Sequence, residues 1–278
     1  MNLNGKRVLV TGGTGGVGDA LTRALVDAGA RVVTCGRRNA PGVPELREED
    51  GHGDGDGDGS ESGNKSGSGA PGDGRGAARC TVVADLALPG EAARVVRLAV
   101  RQLGGLDVVV ANAGVQHPAS LVDGPDAGVL ARAGQEVAVN FGSVVELAAA
   151  SWPHLAGAGG PAAFVAVTSG LAYAPKRSAP VYCATKAAVH TLLQSLRYQA
   201  QARTPAVRVQ EAVLPLVDTA MTADREGAVR KITPEAAAAA ILRGIERGRP
   251  TVPVGASRAL LALLRLHPPA AHRLLRDG

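Results

Sequence analysis

The sequence predicts an α/β fold: one domain built on a doubly wound parallel sheet with helices on both faces. Three observations point there. Short apolar runs alternate along the chain with longer segments whose apolar residues recur at helical spacing. A glycine-rich turn joins the first apolar run to the first helical segment. The 278 residues, 45% hydrophobic and 20% charged, suffice to bury the core that one large α/β domain requires.

Residues 7–10 form a short apolar run ending in Thr-Gly, the pattern of a buried strand. Residues 16–28 carry Val17, Ala20, Leu21, Ala24, Leu25 and Ala28 on one helical face, and Gly29 closes that helix. The next strand is 31–35. Further strands are predicted at 81–84, 108–111, 163–168 and 207–213, with a short last one at 251–254. Helices are predicted at 91–103, over a segment ending near Ala156, at 181–203 and at 234–247. Strands alternating with helices of this length imply βαβ units and hence a parallel sheet. The domain is expected to span residues 1–256, with a helical tail over 257–278.

One stretch breaks the alternation. From about 51 to 76 the chain is Gly, Asp, Ser and little else, in the place where a helix should follow the second strand. Such a composition buries too little apolar surface to offset its ordering entropy, so a disordered surface loop is expected. The domain tolerates it because closure entropy grows slowly with loop length. Asp54, Asp56, Asp58 and Gly59 imitate the start of a calcium loop, but Lys65 occupies the position that needs a bidentate carboxylate. No metal site is expected.

Composition also excludes partners. The net charge is +5, yet Lys and Arg are scattered and aromatics make up only 2%, so no nucleic-acid surface is predicted. The apolar run from Ala259 to Leu264 is far short of the ~20 residues that cross a bilayer, and no membrane association is expected. Cys35, Cys80 and Cys183 have no metal-type spacing, and Met1 to Lys6 lead straight into the first strand. Free thiols in a reducing cytoplasm are the expectation.

The turn Thr11-Gly12-Gly13-Thr14-Gly15-Gly16-Val17-Gly18 lies between the first strand and the first helix. Glycines there let the backbone approach a pyrophosphate, and the helix amino terminus offers free N–H groups and positive potential. With 37 glycines in the chain a merely flexible turn is the alternative, but the position in a βαβ unit favours a nucleotide. Gly12, Thr14, Gly16, Val17 and Gly18 are the candidate contacts, in a spacing that departs from Gly-x-Gly-x-x-Gly. After the second strand no carboxylate is within reach of a ribose; Arg37 and Arg38 stand there instead. Guanidinium suits a ribose 2′-phosphate, so NADP(H) is the predicted cofactor, carried mainly by Arg37. Arg38 reads more simply as a solvated surface charge. Asp85-Leu86 and Asn112-Ala113-Gly114 follow the third and fourth strands, at carboxyl ends where open α/β sheets bind ligands. Asp85 suits an adenine amino group and Asn112 a tie between strands; each serves equally as a cap or turn residue.

Tyr182 precedes Lys186 by four residues, one helical turn on the same face. An ammonium held there favours the ionised phenol and makes Tyr182 a candidate proton donor and acceptor. The other two tyrosines serve as controls. Tyr198 has Ala202 at the fourth position, and Tyr173 has Arg177 but with Pro175 between. His117, His154 and His190 lack ligand-like spacing and read as surface or local packing residues.

Taken together, Thr-Gly-x-x-x-Gly-x-Gly, Asn112-Ala113-Gly114, Asn140, Ser169 and Tyr182-x-x-x-Lys186 resemble the short-chain dehydrogenase/reductase family, whose fold is Rossmann-type. The resemblance runs from Thr11 to about Val254, the Gly-Asp insertion excepted. The segments from Thr168 to Ala172, Pro180 to Lys186, Leu196 to Tyr198 and Pro215 to Thr219 resemble the DltE-type oxidoreductases within it. The resemblance implies Tyr182 as general acid/base, Lys186 as its tuner and a contact to the nicotinamide ribose, and Ser169 as a hydrogen-bond donor to the substrate oxygen. It implies Asn140 as the holder of a relay water, and Pro215, Val217 and Thr219 as lining for the nicotinamide. It further implies a small-molecule carbonyl or alcohol substrate, and a homodimer or homotetramer paired through helices near 139–150 and 181–203. Two departures stand out: Ala111 where an Asn often precedes Asn-Ala-Gly, and Leu216 after Pro215. An NADP(H)-binding sensor without turnover is the alternative, but it has no need of Ser169, Tyr182 and Lys186 together. The tail from Ala259 to Leu275, Leu- and Arg-rich, reads as a helix packed on its own domain or over the cleft rather than as a partner-binding segment.

Overall fold

The computed structural model describes residues 1–48, 78–124, 127–223 and 231–277. Its frame is a seven-stranded sheet: β1 (Arg7–Thr11), β2 (Arg31–Gly36), β3 (Arg79–Val83), β4 (Val108–Ala111), β5 (Ala162–Ser169), β6 (Val207–Leu214) and β7 (Thr251–Pro253). The spatial order is β3-β2-β1-β4-β5-β6-β7 and every pairing is parallel. Among the described residues eight α-helices accompany it: α1 (Gly16–Asp27), α2 (Glu91–Leu103), α3 (Ala127–Val137), α4 (Ser143–Ala156), α5 (Pro180–Arg203), α6 (Pro234–Arg247), α7 (Ser257–Leu266) and α8 (Pro268–Arg276).

Parallel strands buried on both faces should read as continuous apolar runs, and β4, Val-Val-Val-Ala, is buried throughout. Alternate strand residues feed two cores. Phe164, Ala166 and Val209 meet α2, α4 and α5 on one face; Val165, Val167 and Ala212 meet α1 and α6 on the other. Both layers rest mainly on Val, Leu and Ala, as the composition requires, with Phe164 the one aromatic among the buried residues of the first.

Two features differ from the sequence expectation. The helix ending at Ala156 is two helices, α3 and α4, joined through a π turn at Ala138–Gly142. Such a one-residue excess in the hydrogen-bond ladder has no hydrophobic-period signature. No helix is described between β2 and β3; residues 49–77, which contain the 51–76 loop prediction and the calcium-like stretch, lie outside the described residues. The tail forms two helices rather than one. Leu260 of α7 and Ala271 of α8 close a small core over Ala174, and the Arg177 N–H donates to the Arg276 carbonyl at 2.9 Å. No helix among the described residues is long and apolar enough to cross a membrane.

At the opposite end of the sheet from the glycine turn, Asp107 fastens β1 to β4. It accepts from the Arg7 backbone N–H (2.9 Å), Arg7 Nε (2.8 Å) and Lys6 Nζ (3.2 Å). Burial raises its pKa, but the hydrogen bonds from Arg7 and Lys6 outweigh that and hold it below the usual value. Asp107→Ala leaves two part-buried cations without their partner, and a loss of about 3 kcal/mol is expected in urea melts at pH 7. Because the folded pKa is depressed, this stabilisation is full above the unfolded value and disappears as pH falls through the folded one. The gap between wild type and variant should therefore narrow as the pH falls; a gap independent of pH would contradict it.

Candidate active site

The strand order reverses between β1 and β4, and the crevice above their carboxyl ends is where the predicted residues gather. The glycine turn forms its floor. Gly12 and Gly16 have φ of 67° and 53°, which favours residues without a side chain. A β-carbon at Gly13 would collide with Thr34, and one at Gly18 would overlap the Gly12 carbonyl. Gly15, the N-cap of α1, has no side-chain cap, and a β-carbon added there meets nothing within 4 Å. The first turn of α1 thus has no side-chain cap, and its N–H groups are the kind that receive an anion. Val17 is half-buried in that first turn, and Thr14 sits over Gly36, where a β-carbon would meet its Oγ1.

Thr11 and Asn112 stitch β1 to β4 at the crevice. The Asn112 and Ala113 N–H groups donate to Thr11 Oγ1 (3.0 and 3.1 Å), and Asn112 Nδ2 donates to the Thr11 and Gly12 carbonyls (3.0 and 3.3 Å). Asp85 is half-buried and its Oδ1 accepts from the Ala87 N–H at 3.0 Å, a turn-forming bond; Leu86 beside it is buried. Arg37 and Arg38 are exposed just past β2, and neither has a hydrogen bond or ion pair among the described residues. Sequence reasoning missed Arg79, whose Nη2 donates to the Gly13 carbonyl (2.8 Å) and to Asp19 Oδ1 (2.9 Å), bracing the glycine turn from β3. A cation opening a strand gave no sign of that reach.

The second cluster surrounds the start of α5. Pro180 opens this helix, so Tyr182 stands in its first turn and Lys186 one turn on. Both are buried, and Lys186 Nζ lies 5.7 Å from the Tyr182 ring centre. Lys186 Nζ donates to the Val167 carbonyl of β5 at 3.0 Å. Burial alone lowers its pKa from 10.5 to about 8. Gly114 borders this amine: a β-carbon there would lie 3.5 Å from Lys186 Nζ and 3.3 Å from Asn140 Oδ1.

Asn140 sits in the π turn, fully buried, with every side-chain atom engaged. Its Oδ1 accepts from the Val115 N–H (2.8 Å), while Nδ2 donates to the Val115 carbonyl (2.9 Å) and Thr185 Oγ1 (3.2 Å). Its side chain thus locks the loop after β4 to α5. Ser169 ends β5, half-buried, and its Oγ accepts from the Leu171 N–H at 3.2 Å, which leaves the hydroxyl proton available. After β6, Pro215 is half-buried and Val217 is buried, pairing by a bridge with Ile232. Thr219 bends back over the glycine turn: a β-carbon on Gly16 would meet Thr219 Cγ2 at 3.1 Å. The crevice therefore joins two halves, a glycine turn near two exposed guanidiniums and a buried Tyr–Lys pair beside a strand-end serine.

A further polar group was not foreseen. Glu211, inside the apolar run of β6, is fully buried and bonded to Thr168, Tyr173 and His190. Its one sequence signal is a carboxylate within an otherwise apolar parallel strand. His190, which the sequence predicts as a surface or packing residue, packs on Tyr173 and bonds this carboxylate.

Known proteins resemble this chain. The short chain dehydrogenase family profile matches residues 72–229, more than half of the chain. The uncharacterized oxidoreductase DltE of Bacillus subtilis (strain 168) is 31% identical over 255 residues, covering 90% of this chain and 88% of its own. Among solved structures, a short chain dehydrogenase from Burkholderia cenocepacia J2315 in complex with NADP superposes with a TM-score of 0.77 at 23% identity, covering all of both chains. A short chain dehydrogenase/reductase from Burkholderia phymatum in complex with NAD gives 0.74 at 18% identity, over 100% of this chain and 97% of that one. At those identities the structures speak for the fold, which is the one described above. With the profile match and the relative at 31% identity, the chain belongs to the short-chain dehydrogenase/reductase family of oxidoreductases and is similar to DltE.

Proposed function

We propose that the protein interconverts a carbonyl and an alcohol with NADP(H), Tyr182 acting as the general acid/base. The observation that carries this reading is the buried Lys186 ammonium, bonded to the Val167 carbonyl one helical turn from Tyr182. Burying the cation costs more than its one bond to the Val167 carbonyl returns; beside a phenol it has a chemical task. The bound nicotinamide supplies or accepts the hydride. Around it, the open first turn of α1 suits the pyrophosphate, Arg37 the 2′-phosphate with Arg38 behind it, Asp85 and Leu86 the adenine, and Asn112, Ala113 and Gly114 the floor beneath the riboses. Pro215, Val217 and Thr219 wall the reactive end.

Tyr182 gives its proton to the carbonyl oxygen in reduction and takes it back in oxidation. Ser169 donates a hydrogen bond to the same oxygen, so two donors converge where negative charge develops. Lys186 stabilises the phenolate that Tyr182 becomes, and Asn140 keeps Lys186's surroundings closed through Val115 and Thr185. Self-association through α4 and α5 belongs to the same reading, with Val145 and Tyr198 exposed on those helices.

The test is cofactor oxidation across a panel of aldehydes and ketones, with NADPH and NADH in parallel. NADPH is expected to be preferred, and Arg37→Ala to raise its KM by about ten-fold, equivalent to ~1.4 kcal/mol, without changing that for NADH. Equal use of both cofactors by the wild type would refute the 2′-phosphate assignment. Tight NADPH binding with no turnover of any substrate would favour the sensor alternative.

A further inference from the structure

The β6 face beneath α5 carries apolar side chains at Val207, Val209 and Val213, yet its fourth member is Glu211. An apolar residue there would pack without desolvating a charge, so this carboxylate calls for a reason beyond stability. Its two oxygens gather three elements. Thr168 Oγ1, at the end of β5, donates to Oε1 at 2.7 Å. Tyr173, in the loop after β5, donates its hydroxyl to Oε2 at 3.0 Å, and His190 Nδ1 on α5 reaches the same oxygen at 2.8 Å. Tyr173 and His190 also touch each other, at 3.0 Å between hydroxyl and Nδ1 and 4.6 Å between ring centres.

The placement of these anchors is specific. Thr168 is the residue before Ser169, and His190 is one helical turn beyond Lys186. Along α5 the polar contacts to the sheet run in sequence. Lys186 bonds the Val167 carbonyl, His190 bonds Glu211, and Arg197 Nε and Nη2 bond the Val209 and Pro250 carbonyls. The titratable and charged groups facing Glu211 are Tyr173 from the loop and His190 from α5, with the Arg197 guanidinium acting on Tyr173 from farther along the helix.

We propose that Glu211 is a positioning residue for the reaction: through Thr168, Tyr173 and His190 it fixes the end of β5 against α5, and so keeps Ser169 and Lys186 in register. The carboxylate touches neither substrate nor cofactor in this role; it sets where the Val167 carbonyl and the Lys186 amine meet. The inference rests on the reductase reading for its consequence in catalysis, but its structural core can be read without turnover.

The chain has five lysines, Lys6, Lys65, Lys176, Lys186 and Lys231, so ε-13C-lysine labelling of the full-length protein gives few resonances, with Lys186 assigned by Lys186→Arg. The wild-type Lys186 signal is expected to titrate near 8. In Glu211→Ala the midpoint should rise toward the ordinary ~10.4, because the loosened β5–α5 junction admits water to the amine. Glu211→Gln removes the charge but keeps the shape and an acceptor for Thr168, and its midpoint should stay near that of the wild type. Should Glu211→Ala fail to fold, His190→Ala removes the α5 anchor from a part-exposed site and should raise the midpoint likewise. On a substrate found in the panel, kcat should fall about 10²-fold in the Ala variants with the KM for NADPH little changed. An unchanged or lower Lys186 midpoint in a folded Ala variant overturns the proposal, whatever the loss in Tm. A wild type that turns over nothing sinks the reductase reading instead, and the lysine titration still decides the positioning role.

Discussion

Tyr182→Phe is expected to lower kcat by about 10²–10⁴-fold, the usual range for a positioned proton donor. The substitution is clean for physical reasons. Tyr182 is buried in the first turn of α5, and phenylalanine fills the same volume with the same ring. Only the hydroxyl is lost, so the helix, the Lys186 bond to Val167 and the glycine turn are all retained. NADPH affinity, followed by fluorescence titration, should therefore stay within a few-fold of wild type while turnover disappears. Tyr198→Phe, at an exposed position 70% accessible, is the matched control and should leave kcat unchanged. If Tyr182→Phe keeps wild-type turnover on a substrate that the wild type reduces, the acid/base belongs to another group.

The parts of this molecule legible in its sequence are those in which one residue type has one physical reason to be there. Helix α2 (Glu91–Leu103) and strand β4 (Val108–Ala111) match their predicted ranges because hydrophobic period and glycine stops agree at both ends. The turn from Gly12 to Gly18 is visible because only glycine fits against Thr34 and the Gly12 carbonyl. The Tyr182–Lys186 pair is visible because helical spacing is short-range. What stayed hidden depends on register between distant segments. Glu211 meets His190 and Thr168 only after β5 and β6 pair and α5 is laid across them, at sequence separations of 21 and 43. Arg79 reaches the glycine turn 66 residues away for the same reason. The π turn holding Asn140 escapes pattern reading because it inserts one residue into a helix without breaking its apolar face.

Lys186→Met is expected to abolish turnover and yet make the fold more stable. The lysine's pKa falls from 10.5 in its ordinary state to about 8 in the folded chain, with burial as the cause. At pH 7 it is protonated in both folded and unfolded states, so the folded protein carries a buried ammonium at a cost of about 3 kcal/mol. Methionine matches the unbranched shape and removes that charge. It also removes the donor to the Val167 carbonyl, and a buried acceptor left unpaired costs about 1–2 kcal/mol. The balance is a gain of about 1–2 kcal/mol at pH 7, or a few degrees in Tm for a chain of this size. The pH dependence gives the argument its sign. Between about 8 and ~10.4 the unfolded chain binds a proton that the folded chain does not, so wild-type stability rises across that window and the advantage of Met shrinks. Denaturant melts of both proteins at pH 7 and pH 9.5, beside the kinetics, test it. A variant less stable than wild type at pH 7, or a difference that does not change with pH, would mean that Lys186 is not held as a desolvated cation. The proton chemistry assigned to Tyr182 would then lose the charge that tunes it.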